Sequence, residues 1–154
     1  MLNCLHLKNF KCFQQQTVNF RPLTLLTGVN SAGKSSVIQS LLLLQQTFAE
    51  HWEQPEVQLS GELVNLGLPE DVLCSNAEED TFSITVERDS ISFQLQATLE
   101  KNSLKTTCSD TTGNEFLHFL YLNAERICPC TLFPVPTEIQ SYYNKIGNQG
   151  EFAA

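Results

Sequence analysis

Eight consecutive residues in this chain have types and spacing suited to holding a phosphate: Gly28-Val29-Asn30-Ser31-Ala32-Gly33-Lys34-Ser35. They fit G-x-x-x-x-G-K-[ST], the phosphate-binding loop. Glycine permits backbone angles that a side chain forbids, so Gly28 and Gly33 let the loop fold its N–H groups toward one point. Those groups would cradle a β-phosphate, and the helix beginning at the loop's end adds a favourable partial positive charge. Lys34 would bridge β- and γ-phosphates and so carry the catalytic charge, while the Ser35 hydroxyl would ligate Mg²⁺. Asn30, Ser31, Ala32 and Ser36 complete the expected cofactor-binding loop around Gly28, Gly33, Lys34 and Ser35.

A loop of this kind needs a strand before it and a helix after it. Leu23-Thr24-Leu25-Leu26-Thr27 is a short apolar, β-prone run and predicts a buried strand. Residues 35–52 contain no Gly or Pro and predict a helix. Val37, Leu41, Leu44 and Phe48 recur every three or four positions, and Ile38 and Leu42 widen that expected core face. Upstream, residues 2–8 and 17–20 predict two strands joined by a turn at Asn9–Phe13. Downstream, residues 56–59 suggest a short strand. Phe82, Ile84 and Val86, then Ile91, Phe93, Leu95, Ala97 and Leu99, alternate with polar residues across a tight connection at Arg88-Asp89-Ser90. That pattern predicts an antiparallel hairpin with one wet face, with a further strand near Lys105–Ser109. The apolar run Phe116–Leu122 predicts a buried strand.

Composition narrows the class. The chain has 154 residues, 42% hydrophobic, enough for one domain with a core. Its net charge of −8 is unevenly spread. Residues 1–49 contain no Asp or Glu but carry Lys8, Lys11, Arg21 and Lys34; all 17 acidic residues follow. The segment around the loop is therefore positive, which suits a triphosphate. The acidic remainder argues against this lobe gripping DNA alone, since that takes clustered Lys and Arg. The N-terminus lacks a signal-peptide core and no apolar run is long enough to span a membrane, so a reduced, cytoplasmic setting is the expectation. Cys128-Pro129-Cys130 is too closely spaced for the usual zinc pair. Cys4, Cys12, Cys74, Cys108, His6, His51 and His118 read as core or surface residues rather than ligands.

Leu7-Lys8-Asn9-Phe10-Lys11-Cys12-Phe13, followed by the loop with Asn30 two residues after its first glycine, resembles the opening of SMC- and RecF-like ABC-type ATPases. The segments 61–67, 121–127 and 146–151 are similar to parts of overcoming-lysogenization-like defence ATPases, with the Septu type the nearest group. The resemblance implies an α/β P-loop NTPase fold: the N-terminal lobe of an ABC-type head with an antiparallel β subdomain. It divides the lobe into residues 1–55 (hairpin, loop and helix), 56–125 (mainly β) and 126–154 (a connection toward a further lobe). It implies ATP and Mg²⁺ as cofactors and Lys11 near the nucleotide. It also implies a homodimer or larger assembly of heads, and an effector such as an HNH nuclease. Nucleic acid would be met by the whole assembly.

Other readings compete. Leu59-Ser60-Gly61-Glu62 looks like an ABC signature but is followed by Val64, Asn65, Gly67 and Pro69, a poor helix opening. An apolar strand ending in Asp-Glu, the Walker B element that hydrolysis requires, is not found. Asn123 and Glu125 are the substitutes at hand for the Mg²⁺-sensing Gln of ABC-type heads. A GTPase would use Asp110-Thr111-Thr112-Gly113 and Asn144-Lys145-Ile146-Gly147, but Gly147 stands where the guanine-reading Asp belongs. A nucleotide kinase would need more than the three arginines, Arg21, Arg88 and Arg126. A nucleotide-gated interaction module without catalysis is the third alternative.

Overall fold

The computed structural model describes residues 1–48, 56–89, 91–101, 103–108 and 120–121. Contacts divide the chain into Met1–Leu117 and His118–Ala154, and all the named elements belong to the first unit. In chain order these are β1 (Leu2–Phe10), β2 (Phe13–Asn19), α1 (Lys34–Phe48), α2 (Pro69–Val72), β3 (Thr81–Arg88), β4 (Ile91–Glu100) and β5 (Ser103–Cys108).

The five strands make one sheet in the order β2-β1-β3-β4-β5, every pair antiparallel. The N-terminal hairpin and the later meander thus share a single sheet. Alternation explains which face is dry. Leu5 of β1 pairs with Val86 of β3, which pairs with Phe93 of β4, and all three are buried on one side. Leu7, Ile84 and Leu95 repeat that row two residues along. Phe10 and Phe82 pack at 5.8 Å between ring centroids.

Helix α1 covers this face. Phe48, in its last turn, meets Phe93 edge-on, with centroids 4.8 Å apart and planes at 88°. The arrangement is one helix laid on an antiparallel sheet. Of the expected α/β P-loop lobe with an antiparallel β subdomain, the described residues show an antiparallel sheet under one helix and no parallel strand pair.

Four local expectations change. The run Leu23–Thr27 belongs to no strand, and Leu23 and Leu25 are 89% and 82% exposed. Apolar, β-prone residues mark what a strand can bury, but a strand also needs a ladder partner, and none stands beside this run among the described residues. Thr24 instead closes a local turn, accepting from the Arg21 N–H at 2.9 Å and donating to the Arg21 carbonyl at 3.1 Å. Val37, Leu42, Leu44 and Phe48 of the expected dry face of α1 are buried, but the edges of that face differ from the expected ones. Ser40, Leu43, Leu44 and Thr47 are almost fully buried, whereas Leu41 is half-buried and Ile38 is exposed. Residues 56–59 form no strand; an isolated bridge pairs Ser60 with Asn65. β2 begins at Phe13, four residues earlier than the sequence suggests, because its outward Gln14, Gln15 and Gln16 carry no apolar signal. The helix beyond Phe48 and most of Phe116–Leu122 lie outside the described residues, as do Cys128–Cys130, Asp110–Gly113 and Asn144–Gly147.

One buried polar residue shows why the segment after the helix bends as it does. Gln46 faces the core and uses both ends of its amide. Its Nε2 donates to the carbonyls of Gln58 (2.7 Å) and Val64 (3.1 Å), and its Oε1 accepts from the N–H groups of Leu63 and Val64, each at 3.0 Å. Gly61 lies flat against this amide: a β-carbon there would stand 2.4 Å from Gln46 Cδ. The Leu59-Ser60-Gly61-Glu62 stretch is therefore a tight bend wrapped on Gln46, and residues 63–68 after it are not helical. Removing the amide would leave buried backbone groups unpaired, at about 1–3 kcal/mol for each.

Leu43→Ala should cost about 2–5 kcal/mol in urea unfolding, as a fully buried side chain leaves a cavity. Ile38→Ala should cost less than about 1 kcal/mol. Equal losses at the two positions would show that the buried stripe is not the one described.

Candidate phosphate site

The loop between Thr27 and the helix has the backbone its sequence anticipates. Gly28 and Gly33 have φ of 150° and 86°, and Ser31 between them has φ of 64°. The Ala32 N–H closes a short turn on the Val29 carbonyl at 3.3 Å. Helix α1 starts at Lys34, and the Val37 N–H donates back to the Gly33 carbonyl at 3.1 Å. The N–H groups of Lys34, Ser35 and Ser36 belong to the first turn, which has no intrahelical acceptors for them. No acidic residue stands in that turn, so nothing there competes for an anion.

Lys34 is drawn into the loop. Its ammonium donates to the carbonyls of Gly28 at 2.9 Å and Val29 at 2.6 Å. A phosphate entering the loop must exchange with these neutral carbonyls, and an anion outcompetes them for an ammonium. Ser35 is exposed at the start of the helix, free to offer its hydroxyl to a cation. Asn30, Ser31 and Ala32 are exposed along the loop. The structure thus brings Gly28–Ser36 together as one turn, exposed from Gly28 to Ala32 and buried at Gly33, with the Lys34 ammonium on its carbonyls.

Lys11 is placed differently. It sits in the two-residue turn of the β1–β2 hairpin with φ of 51°, between the paired Phe10 and Phe13. Its backbone N–H donates to the Val72 carbonyl at 2.7 Å. The residues of this turn that touch the phosphate loop's end are its neighbours. A β-carbon on Gly33 would lie 2.3 Å from Phe13 Cζ and 2.7 Å from Cys12 Sγ. The Cys12 thiol donates to Ser36 Oγ at 3.8 Å. The hairpin turn therefore presses on the base of the loop, with Phe13 and Cys12 as supports. Sequence reading marks this turn but not those two side chains, because an aromatic and a cysteine in a turn carry no signal of what they face.

The turn itself is clamped from the other side. The Cys74 N–H donates to the Asn9 carbonyl at 3.0 Å, Phe10 bridges Leu73, and buried Asn9 donates through Nδ2 to the Thr81 carbonyl at 3.0 Å. Asn9 has φ of 53°, a conformation that Asn accepts more readily than most residues.

Gly33→Ala should destabilise the chain by about 2 kcal/mol or more, from steric overlap and the left-handed backbone together. Adding Phe13→Ala should recover more than about 0.5 kcal/mol of that loss beyond additivity, measured by a double-mutant unfolding cycle. Strict additivity would separate the two residues.

Comparison with known proteins agrees with this geometry. The family model described as an AAA ATPase domain matches residues 1–144. Among curated proteins, the DNA replication and repair protein RecF of Desulfitobacterium hafniense strain DSM 10664 / DCB-2 is 43% identical over 53 residues, which is 32% of this chain and 14% of the relative. RecF of strain Y51 of the same organism matches to the same extent. The match thus spans about one-seventh of the relatives' length. Among the described residues no helix is long and apolar enough to cross a membrane. With a glycine loop and helix of this geometry, and a family match over most of its length, the chain belongs to the AAA ATPase domain family and is similar over 53 residues to RecF.

Proposed function

We propose that residues 28–36 bind Mg-ATP, and that the chain is the nucleotide-binding lobe of a RecF/SMC-like ATPase. The observation that carries this is the Lys34 ammonium held inside the glycine loop at the mouth of α1, where phosphates and N–H donors would meet. In that reading Lys34 takes the β- and γ-phosphates and Ser35 the Mg²⁺. The loop N–H groups take the remaining phosphate oxygens. Lys11 stands in the turn beside this loop, near where a base or ribose would extend.

Hydrolysis needs more than a phosphate cradle. A carboxylate to hold Mg²⁺ and orient water belongs on a strand next to the loop's own strand. In this reading such a strand would cover the exposed run Leu23–Thr27. We take ATPase activity to require that strand, and head-to-tail pairing of two such lobes around two nucleotides. ATP is preferred over GTP in this reading because Gly147 cannot supply the guanine-binding carboxylate. A role in antiphage defence beside an HNH-nuclease effector rests on the resemblance of residues 61–67, 121–127 and 146–151 alone. The first of these is accounted for structurally by the Gln46 bend. A cytoplasmic setting is in keeping with Cys4, Cys12, Cys74 and Cys108, the cysteines among the described residues, being free thiols.

Lys34→Ala should weaken Mg-ATP binding at least tenfold, about 1.4 kcal/mol, in a calorimetric titration. Unchanged affinity would defeat the assignment. Ser35→Ala should flatten the dependence of ATP affinity on Mg²⁺ concentration; an unaltered metal titration would remove Ser35 from its role.

A further inference from the structure

The face of the sheet turned away from α1 carries a second cluster with its own chemistry. On β1, Cys4 and His6 are two residues apart and so project to the same side. Glu87 of β3 is the registered partner of Cys4 across the ladder. One ligand atom from each of Cys4, His6 and Glu87 lies within 4.8 Å of the other two. All three residues sit on hydrogen-bonded strands, two of them directly opposed, so the cluster is set by the register rather than by loop geometry.

Both ring nitrogens of His6 have a partner on a neighbouring strand. Its Nδ1 is 2.9 Å from Thr17 Oγ1 on β2, and its Nε2 is 3.4 Å from Glu87 Oε1. When Nδ1–H donates to the Thr17 hydroxyl, Nε2 presents a lone pair to a carboxylate oxygen. In that tautomer two acceptors face each other and a metal ion between them would satisfy both; in the other, Nε2–H donates to Glu87 and Nδ1 accepts from the Thr17 hydroxyl. The partner on Nδ1 is the kind of outer contact that fixes the tautomer and aim of a ligating imidazole. The third donor stands beside them. Cys4 is 7% exposed, and its thiol donates to Asn19 Oδ1 at 3.4 Å. Burial pushes this thiol's pKa up, and the Glu87 charge pushes the same way. The nearby Lys8 ammonium is directed to Glu79, at 3.2 Å. A sulfur, an imidazole nitrogen and a carboxylate oxygen form the mixed donor set that a borderline divalent ion takes in tetrahedral geometry.

We propose that Cys4, His6 and Glu87 form a binding site for a divalent transition-metal ion, with Zn²⁺ the best match, that staples β1 to β3 on the sheet face opposite the helix. On binding, the S–H bond of Cys4 breaks, its proton leaves to solvent, and the thiolate, the Nε2 lone pair and Oε1 each donate to the metal, with no change of oxidation state. Asn19 Oδ1 loses the thiol proton it accepts and becomes available, with water, for the fourth position. The site uses no residue of the phosphate loop, so it stands or falls independently of the ATP reading.

The test uses the full 154-residue chain, reduced and stripped with chelator, titrated with Co²⁺ and then displaced by Zn²⁺. The expected result is one equivalent of Co²⁺ giving the intense visible bands of a tetrahedral ion and a thiolate-to-cobalt charge-transfer band, both lost on adding Zn²⁺. Cys4→Ser should abolish the charge-transfer band. Glu87→Gln, a half-exposed change that leaves the core intact, should weaken Co²⁺ binding at least tenfold. Cys128→Ser/Cys130→Ser should leave the spectrum unchanged. Circular dichroism of each variant reports that it is folded. A chain that gives no charge-transfer band, one whose band survives Cys4→Ser, or one whose affinity is unmoved by Glu87→Gln would overturn the proposal.

Discussion

The space that a β-carbon would need on Gly33 is already occupied by the ring of Phe13 and the sulfur of Cys12. That close approach joins the two halves of the described fold. On one side is the hairpin turn, fixed to the sheet through β1 and β2 and clamped by the backbone of residues 72–74. On the other is the first turn of α1, whose far end is tied to the sheet by Phe48 on Phe93. A helix anchored at both ends cannot shift along its axis, so the loop before it is held in one place. The lysine at its mouth can then be aimed by two carbonyl contacts without further support. The phosphate recognition proposed for this loop would thus depend on a packing constraint at a glycine.

Much of this was legible before the structure. The glycines, Lys34 and Ser35 identify the loop because few other demands on a chain require that spacing. The meander was legible because Phe82, Ile84 and Val86 alternate cleanly with hydroxyl residues, and a half-wet sheet leaves that imprint. The dry face of α1 was less so. Its residues run Leu41-Leu42-Leu43-Leu44, and four leucines in a row cannot say which of them points inward. Two polar members of the true stripe, Ser40 and Thr47, carry no apolar signal, and Gln46 is buried for its hydrogen bonds rather than its hydrophobicity. The run Leu23–Thr27 misled because propensity describes one segment, while a strand is a property of two.

The Cys4–His6–Glu87 cluster was invisible for a related reason. Two ligand types separated by one residue on a strand share a face, but the third lies about eighty positions away and reaches them only through the β1–β3 register. Linear spacing finds metal sites built on turns and helices, where ligands cluster in sequence; it misses those assembled across a ladder. The two candidate sites occupy different places in the fold, one at the helix mouth and one on the open sheet face. The sheet that positions the hairpin turn at Gly33 also sets the register at Glu87, so its strand order underlies both.

The most direct test of the phosphate site is a residue-by-residue amide spectrum of the isotopically labelled chain, recorded as Mg-ATP is added. Binding as described will move the amide signals of Gly28 to Ser36 most, with Cys12 and Phe13 following because they press on Gly33. The signals of β4 and β5, on the far side of the sheet order, will stay in place. A saturable response centred anywhere else, or none at the loop amides, would contradict the account.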